Sequence, residues 1–575
     1  MLRKLALFIC MMINVSCFAS VQNRKLVVLF TSDLHSQVLP DKLGHGGYSA
    51  IESIVQLHRE QAAGDGSAFF LLDAGDIAMG TVFHSVFAKE GIEYRAMARL
   101  GYDAVVHGNH DFDFGTGVYA DMRRSAHKKD SLLQFPVLVS TNLKVPGVES
   151  CKWKIIEKEG VKVGLMALVG NHSYSVVARD ASKLEWLDPV EAAKEAVADM
   201  KQSGADYIIA LSHSGTVNDE DVELAKKVKG IDLIVSGHDH RTMHEPLKVK
   251  DTYIGAPGPK GKYVGKAVFS NGELEEYALL ETIGKGDGDS PVSQWVDSMC
   301  KAVKERFIEV SGRKLDDTLA FLECSMYDIV DEGGFMPLGS NIAQSYRDAV
   351  LANIEGVAAD QVIGFVPFGV VRGSLETGAV TNKDVFEVLS LGENSMGYTG
   401  YPLVYAWVTG DEVRNMCEMS VSIAPFIEDT RLYMSGIRYS FKGKKVPFTR
   451  VDKVFLDGKE IDPEKLYIVV TGVYTARLMW MLEEESYGIL SVVAKDSQGN
   501  ELPNGECFYL TDASGKQIAE WEAFAGYVEQ GKLNASLGYD SIEKDNSIPL
   551  GYIVAAVLVC ALLLYLLRKK VRLYI

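Results

Sequence analysis

Cysteine is scarce in this 575-residue sequence and nowhere clustered. Of the eight cysteines, five (Cys151, Cys300, Cys324, Cys417 and Cys507) lie outside the terminal segments 1–19 and 550–567. Scattered and odd in number, they form neither a disulfide framework nor a zinc knuckle. At most two bridges are possible, and the residues read best as small buried hydrophobes. Positive charge is also short, with 59 Lys and Arg against 77 Asp and Glu and a formal net charge of −18. That balance excludes a nucleic-acid partner, whose phosphates would be repelled. A small anionic substrate stays admissible where metal ions supply local positive charge. Internal repeats and long low-complexity tracts are absent, and no protein partner is implied.

Long apolar runs occur only at the ends. Met1–Lys4 is basic, Leu5–Val15 apolar, and Cys17-Phe-Ala19 offers small residues for cleavage after Ala19, the pattern of a signal peptide over 1–19. Leu550–Leu567 approaches the length a spanning helix needs. Arg568–Arg572 follows it at once, while Asp540, Glu543 and Asp545 precede it. The positive-inside rule then leaves a short cytoplasmic tail over 568–575 and the large domains outside the cytoplasm, periplasmic or on the cell surface.

A chain of this length exceeds one core, so two large domains are expected. Residues 21–283 alternate apolar strands with helix-like spacers, among them Ser53–Gln61 and Pro189–Gln202, the pattern of an α/β layered domain. Glycine and small polar residues at Gly284–Ser290 mark a boundary. Pro291 then opens a helix in which Trp295, Met299, Val303, Phe307 and Val310 recur at helical spacing, so 284–312 reads as linker and connecting helix. A second α/β or α+β unit is expected over 313–537. Its aromatic and β-branched runs lie at Gln361–Val371, Leu403–Val408 and Tyr467–Gly472. A polar stalk is expected over 538–549.

In the first domain, five apolar runs end abruptly in polar residues. Lys25–Phe30 leads to Asp33 and His35, Phe69–Leu72 to Asp76, and Ala104–Val106 to Asn109, His110 and Asp113. Tyr207–Leu211 leads to His213, and Ile231–Val235 to His238 and His240. Buried strands whose C-terminal ends open into a polar site give this reading. Asp33 and His35 sit two apart, so an extended chain places both on one side. A carboxylate such as Asp76 has lone pairs enough for two cations. Aspartate, histidine and asparagine donors without thiolate suit divalent Mn, Zn, Fe or Mg. His45, His58, His84, His107, His127 and His244 read as structural, Asp73 and Asp103 as turn or capping residues, and Asp239 as loop support. Gly170-Asn-His172 repeats the glycine–asparagine–histidine triplet, but no carboxylate follows it, and it is set aside.

The ordered blocks Asp-x-His, Gly-Asp, Gly-Asn-His-Asp, Ser-His and Gly-His-x-His resemble those of the calcineurin-like dinuclear metallophosphoesterases. The wording Gly108–Asp113 and the second domain resemble the 5′-nucleotidase group among them. The resemblance implies an αββα sandwich followed by a substrate-binding domain. It implies one metal ion held by Asp33, His35, Asp76 and His240, and another by Asp76, Asn109, His213 and His238. By that resemblance two such ions would acidify a shared water, and the resulting hydroxide would attack the phosphoryl group. His110, oriented by Asp113, would stabilise charge on the phosphoryl or leaving oxygen.

In the second domain Pro337–Ala343, Phe368–Arg372 and Asp384–Leu389 resemble family segments, which implies that Arg372 contacts substrate. Tyr474 matches one of two aromatic rings that stack on a base. The departures are specific. Pro367 stands where the family has a base-reading asparagine, Leu391 where it has the first stacking ring, and Arg477-Leu-Met-Trp480 where it has a glycine-rich segment. One-sided stacking would lose about 1–3 kcal/mol of base affinity. The expectation is a membrane-anchored phosphohydrolase acting on nucleotides. The alternatives are a non-nucleotide phosphoester, cyclic phosphodiester or thiosulfonate hydrolase, or a non-catalytic surface receptor.

Overall fold

The computed structural model describes residues 25–177, 184–330, 334–392, 400–425, 428–485, 491–503, 506–538 and 541–543. The signal segment 1–19, the apolar run 550–567 and the tail 568–575 lie outside them. Among the described residues no helix is long and apolar enough to cross a membrane. The chain divides into two compact units. The first holds the residues up to Met79 together with Val86–Ala302, and the second holds Gly80–Ser85 and the residues from Val303 on. The division falls inside the helix Pro291–Ser311.

Two six-stranded sheets build the first unit. In one, Lys25–Thr31, Ala68–Asp73, Ala104–Val105 and Val137–Leu138 run parallel. The antiparallel pair Tyr263–Ser270 and Glu273–Glu281 closes its edge. In the other, Val161–Val169, Tyr207–His213, Leu233–Ser236 and Thr252–Gly255 run parallel. Trp153–Lys158 and Leu247–Val249 form its antiparallel edges. The parallel strands are almost wholly buried, which is why they read as continuous apolar runs instead of alternating ones.

The two sheets pack face to face. Tyr207 meets Phe269 with ring centroids 5.6 Å apart, and the edge-strand Tyr277 lies against Gly255. Helices cover the outside. Ala193, Ala196, Val197 and Met200 of the helix Pro189–Gln202 bury against Met166, Leu168, Ile208 and Ala210 of the second sheet. Asp188 caps that helix by accepting from the backbone of Val190 and Glu191, with Pro189 at its first position. The layers are those of an αββα sandwich.

The second unit has a five-stranded sheet, a four-stranded sheet and a two-stranded ribbon. The expected runs appear as the strands Val362–Pro367, Leu403–Thr409 and Leu466–Gly472, and Pro337 opens the helix Pro337–Asn353. One expectation is corrected. Ser541–Glu543, read as part of a stalk, is a strand paired in parallel with Ile437–Phe441. The five cysteines are free, as their spacing suggested, but only Cys417 is buried and Cys324 is exposed.

A tight aromatic cluster marks the core of the second unit. Trp521, 2% exposed, packs on Phe307 at 5.1 Å and Phe386 at 5.7 Å between ring centroids. Its replacement by alanine leaves a cavity that neighbouring rings cannot close. Trp521→Ala is expected to destabilise the second unit by about 3–5 kcal/mol, read as a lowered urea midpoint.

Candidate metal centre

The register of the parallel strands sets the site. Thr31 pairs with Asp73 and Asp73 with Val105 in the first sheet, so these strands end level with one another. In the second sheet Val169 pairs with His213 and Ser212 with Ser236. His213 ends its strand, and the loops after the other strands bring Asp33, His35, Asp76, Asn109 and His240 beside it, with the His238 ring 5.1 Å from that of His213. Five of these donors hold positive φ: Asp33 at 51°, His35 at 47°, Asp76 at 55°, His238 at 82° and His240 at 56°. Residues with side chains rarely adopt that conformation, and each such residue costs on the order of 1–3 kcal/mol. The surroundings therefore impose it. Asp33 donates its backbone N–H to Gly75, His35 to Asp76, and His238 to the Asp33 carboxylate. Gly108 admits Asp76 because a β-carbon there would overlap the Asp76 carboxylate and backbone nitrogen.

Two clusters result. Asp33, His35 and His240 form one, with the Nε2 atoms of His35 and His240 2.9 Å apart. Asp33, Asp76 and His213 form the other, with His213 Nε2 3.2 Å from Asp76 Oδ2 and 3.2 Å from Asn109 Oδ1. Asp76 reaches both groups, since its Oδ2 also lies 3.9 Å from His35 Nε2. The ring protons are assigned by carbonyl oxygens, which can only accept. His35 Nδ1 donates to Met79 at 3.0 Å and His213 Nδ1 to Ala74 at 2.8 Å. The Nε2 lone pair of each ring therefore faces the cluster in the neutral tautomer.

The electrostatics call for a cation. Burial pushes Asp33 up to about 6 despite the His213 ring. For Asp76 burial acts upward too, but His213, His110 and His35 outweigh it and hold the carboxyl well below its usual range. Burial opposes charge on His213, yet Asp76 and Asp33 raise it to about 10. Buried carboxylates thus demand positive charge at the point where the imidazole nitrogens converge, and a divalent ion supplies more of it than a proton. Asp33 Oδ2 is buried without a hydrogen-bond partner, as expected of an atom reserved for a metal. The donors fit two divalent ions.

Beside the clusters, His110 Nδ1 lies 2.8 Å from Asp113 Oδ2, and the His110 backbone donates to Asp76 Oδ1 at 2.9 Å. Asp111 accepts from the backbone of Gly108 and Ala78, and Asp239 from that of Thr216 and Val217. Both hold loops. One residue was missed: His172 Nδ1 lies 2.7 Å from His238 Nε2. Its signal was the apolar run Val161–Val169 ending in Gly170-Asn-His172, a sixth strand with a polar exit.

Arg372 and Tyr474 belong to the second unit. The Arg372 backbone donates to Val388, and Tyr474 follows the strand Leu466–Gly472. Leu391 is buried. Tyr401, which the sequence reading passed over, stacks on Tyr474 with centroids 5.4 Å apart and planes 9° from parallel. One face of Tyr474 is therefore already covered by a ring of the protein.

A sheet sandwich whose strand ends carry this donor set defines a metallophosphoesterase. Residues 26–242 match the calcineurin-like phosphoesterase family and residues 331–478 the 5′-nucleotidase C-terminal domain. The chain carries a calcineurin-like phosphoesterase domain followed by a 5′-nucleotidase C-terminal domain, and is a hydrolase of ester bonds. It is 27% identical to a 5′-nucleotidase of Vibrio vulnificus over 501 residues, 79% of this chain and 84% of that one. Among solved structures, a 5′-nucleotidase precursor from Thermus thermophilus superposes with a TM-score of 0.69 at 22% identity, covering 91% of this chain and all of the other. A sulfate thiohydrolase from the same organism superposes with a TM-score of 0.64 at 17% identity, covering 91% of this chain and 98% of the other. Members of the family work with two divalent metal ions.

Gly108→Ala tests the close approach on which the centre depends. The variant is expected to fold but to retain fewer than two ions per chain after dialysis, read by elemental analysis.

Proposed function

We propose that this protein is a membrane-anchored, extracytoplasmic phosphohydrolase that releases phosphate from nucleotides. The observation that carries the reading is the reach of Asp76 to both donor groups, His35 on one side and His213 on the other. Asp33, His35, Asp76 and His240 would hold one ion, and Asp76, Asn109, His213 and His238 the other. When bound, the ions supply positive charge for the phosphoryl oxygens and acidify water.

The rest falls to the chain's own side chains. Asp113 occupies His110 Nδ1, which fixes the ring and leaves Nε2 as the nitrogen that can serve the substrate. From there His110 stabilises the charge that develops on the phosphoryl or leaving oxygen. The Arg372 guanidinium, permanently charged and planar, contacts phosphate or ribose. Tyr474 stacks on the base beside Tyr401.

A second reading has its own observation. Leu391 is buried, Pro367 has no amide to read a base, and Tyr401 covers one face of Tyr474. A pocket so altered favours a smaller or non-nucleotide ester, with the same phosphate chemistry. The apolar run 550–567 and its basic flank support a cytoplasmic tail and an outside location for both units, and 1–19 supports export.

Four outcomes are expected. Purified protein with manganese releases phosphate from nucleoside monophosphates, and a chelator abolishes the release until metal is restored. A panel in which sugar phosphates, cyclic phosphodiesters or thiosulfonates outrank every nucleotide would favour the second reading. His110→Ala lowers kcat by about 10²–10⁴-fold with bound metal unchanged, and Arg372→Ala raises KM far more than it lowers kcat. In membrane fractions the full chain resists alkaline carbonate, whereas a chain ended after residue 538 is released as soluble protein.

A further inference from the structure

The helix Asn171–Ser175 belongs to none of the motif blocks, yet it touches two of the donors assigned above to the second ion. His172 Nδ1 lies 2.7 Å from His238 Nε2, with the two rings 5.0 Å apart. One residue further on, Ser173, fully buried, donates from its hydroxyl to Asn109 Oδ1 at 3.3 Å. The helix is also fixed from behind. Glu220 accepts from the backbone N–H of Asn171 at 2.7 Å and of His172 at 2.9 Å. Gly170 allows that approach, because a β-carbon there would press on the Glu220 carboxylate and on Ser214. His172 is therefore held in place on the edge of the centre.

Two ring nitrogens 2.7 Å apart require one proton between them. His35 and His213 each spend Nδ1 on a backbone carbonyl and offer Nε2 to the centre. His238 differs, because its Nε2 is the atom engaged, and its partner is a side chain. We infer that His172 is a positioning residue for the second metal ion: it accepts the His238 Nε2–H and so leaves His238 Nδ1 deprotonated for the ion. A histidine ligand held through its other nitrogen is fixed in tautomer and orientation, and loss of such a partner typically costs about 10–100-fold in metal affinity. This inference rests on the two-ion reading proposed above and adds a residue that the ligand set does not contain.

The test is metal binding to the full-length protein in detergent, by manganese titration calorimetry and by elemental count after dialysis, without reference to turnover. Wild type holding two ions supports the underlying reading, and wild type holding fewer overturns that reading itself. His172→Ala is expected to weaken one of the two sites by about 10–100-fold, leave the other unchanged, and retain near one ion after dialysis. His172→Asn, whose side-chain oxygen offers an acceptor near the position of Nδ1, is expected to recover most of the lost affinity. His172→Phe keeps the ring volume without the acceptor and should behave as alanine does. Unchanged affinity at both sites in His172→Ala, or equal loss at both, would overturn the inference. So would recovery in His172→Phe, because the effect would then be packing alone.

Discussion

Two carboxylates, Asp33 and Asp76, are buried side by side at the meeting point of two sheets. Ionised together in a dry interior they repel each other and lose hydration, a cost that only nearby positive charge offsets. The protein answers with imidazoles whose ring nitrogens face the same points, and the two carboxylates raise His213 to about 10. A proton on a ring supplies one charge where a divalent cation supplies two, so the arrangement is better balanced when cations occupy those points. The loops, the glycines and the strained backbone of the site all serve that constraint.

The cost of the constraint is visible in the backbone. Five donors sit in left-handed conformations that favour glycine. A sheet sandwich can impose them because its parallel strands end in register, and each loop is tied to the next by backbone hydrogen bonds such as Asp33 to Gly75 and His35 to Asp76. Gly75, Gly108 and Gly237 matter for a related reason: a side chain on any of them would press into the donors or the chain that carries them. The site depends as much on where side chains are missing as on where they are present.

Much of this was legible in the chain. Buried parallel strands leave an unmistakable trace of continuous apolar residues broken by Gly, Asp, Asn and His, and five such breaks marked the donors that the structure brings together. His172 escaped because it was judged by its local wording. A histidine without a following carboxylate resembles many structural ones, and nothing in sequence spacing shows that Val169 ends level with His213. Tyr401 escaped for the same reason, since its contact with Tyr474 joins two segments distant in sequence. The stalk was misread because a polar stretch that adds a short edge strand looks like any solvated linker.

The donors come from both sheets: Asp33, His35, Asp76 and Asn109 follow strands of one, while His213, His238 and His240 follow strands of the other. Held as proposed, each ion would act as a clasp between layers otherwise joined by apolar packing. A clasp of this kind couples folding to ion supply, because ligands that bind only the native state stabilise it by RT ln(1 + [L]/Kd). In an ion-poor setting, the first unit would be looser and more open to proteolysis before any substrate arrived. Metal availability would then govern how much of the protein survives as well as how fast it works.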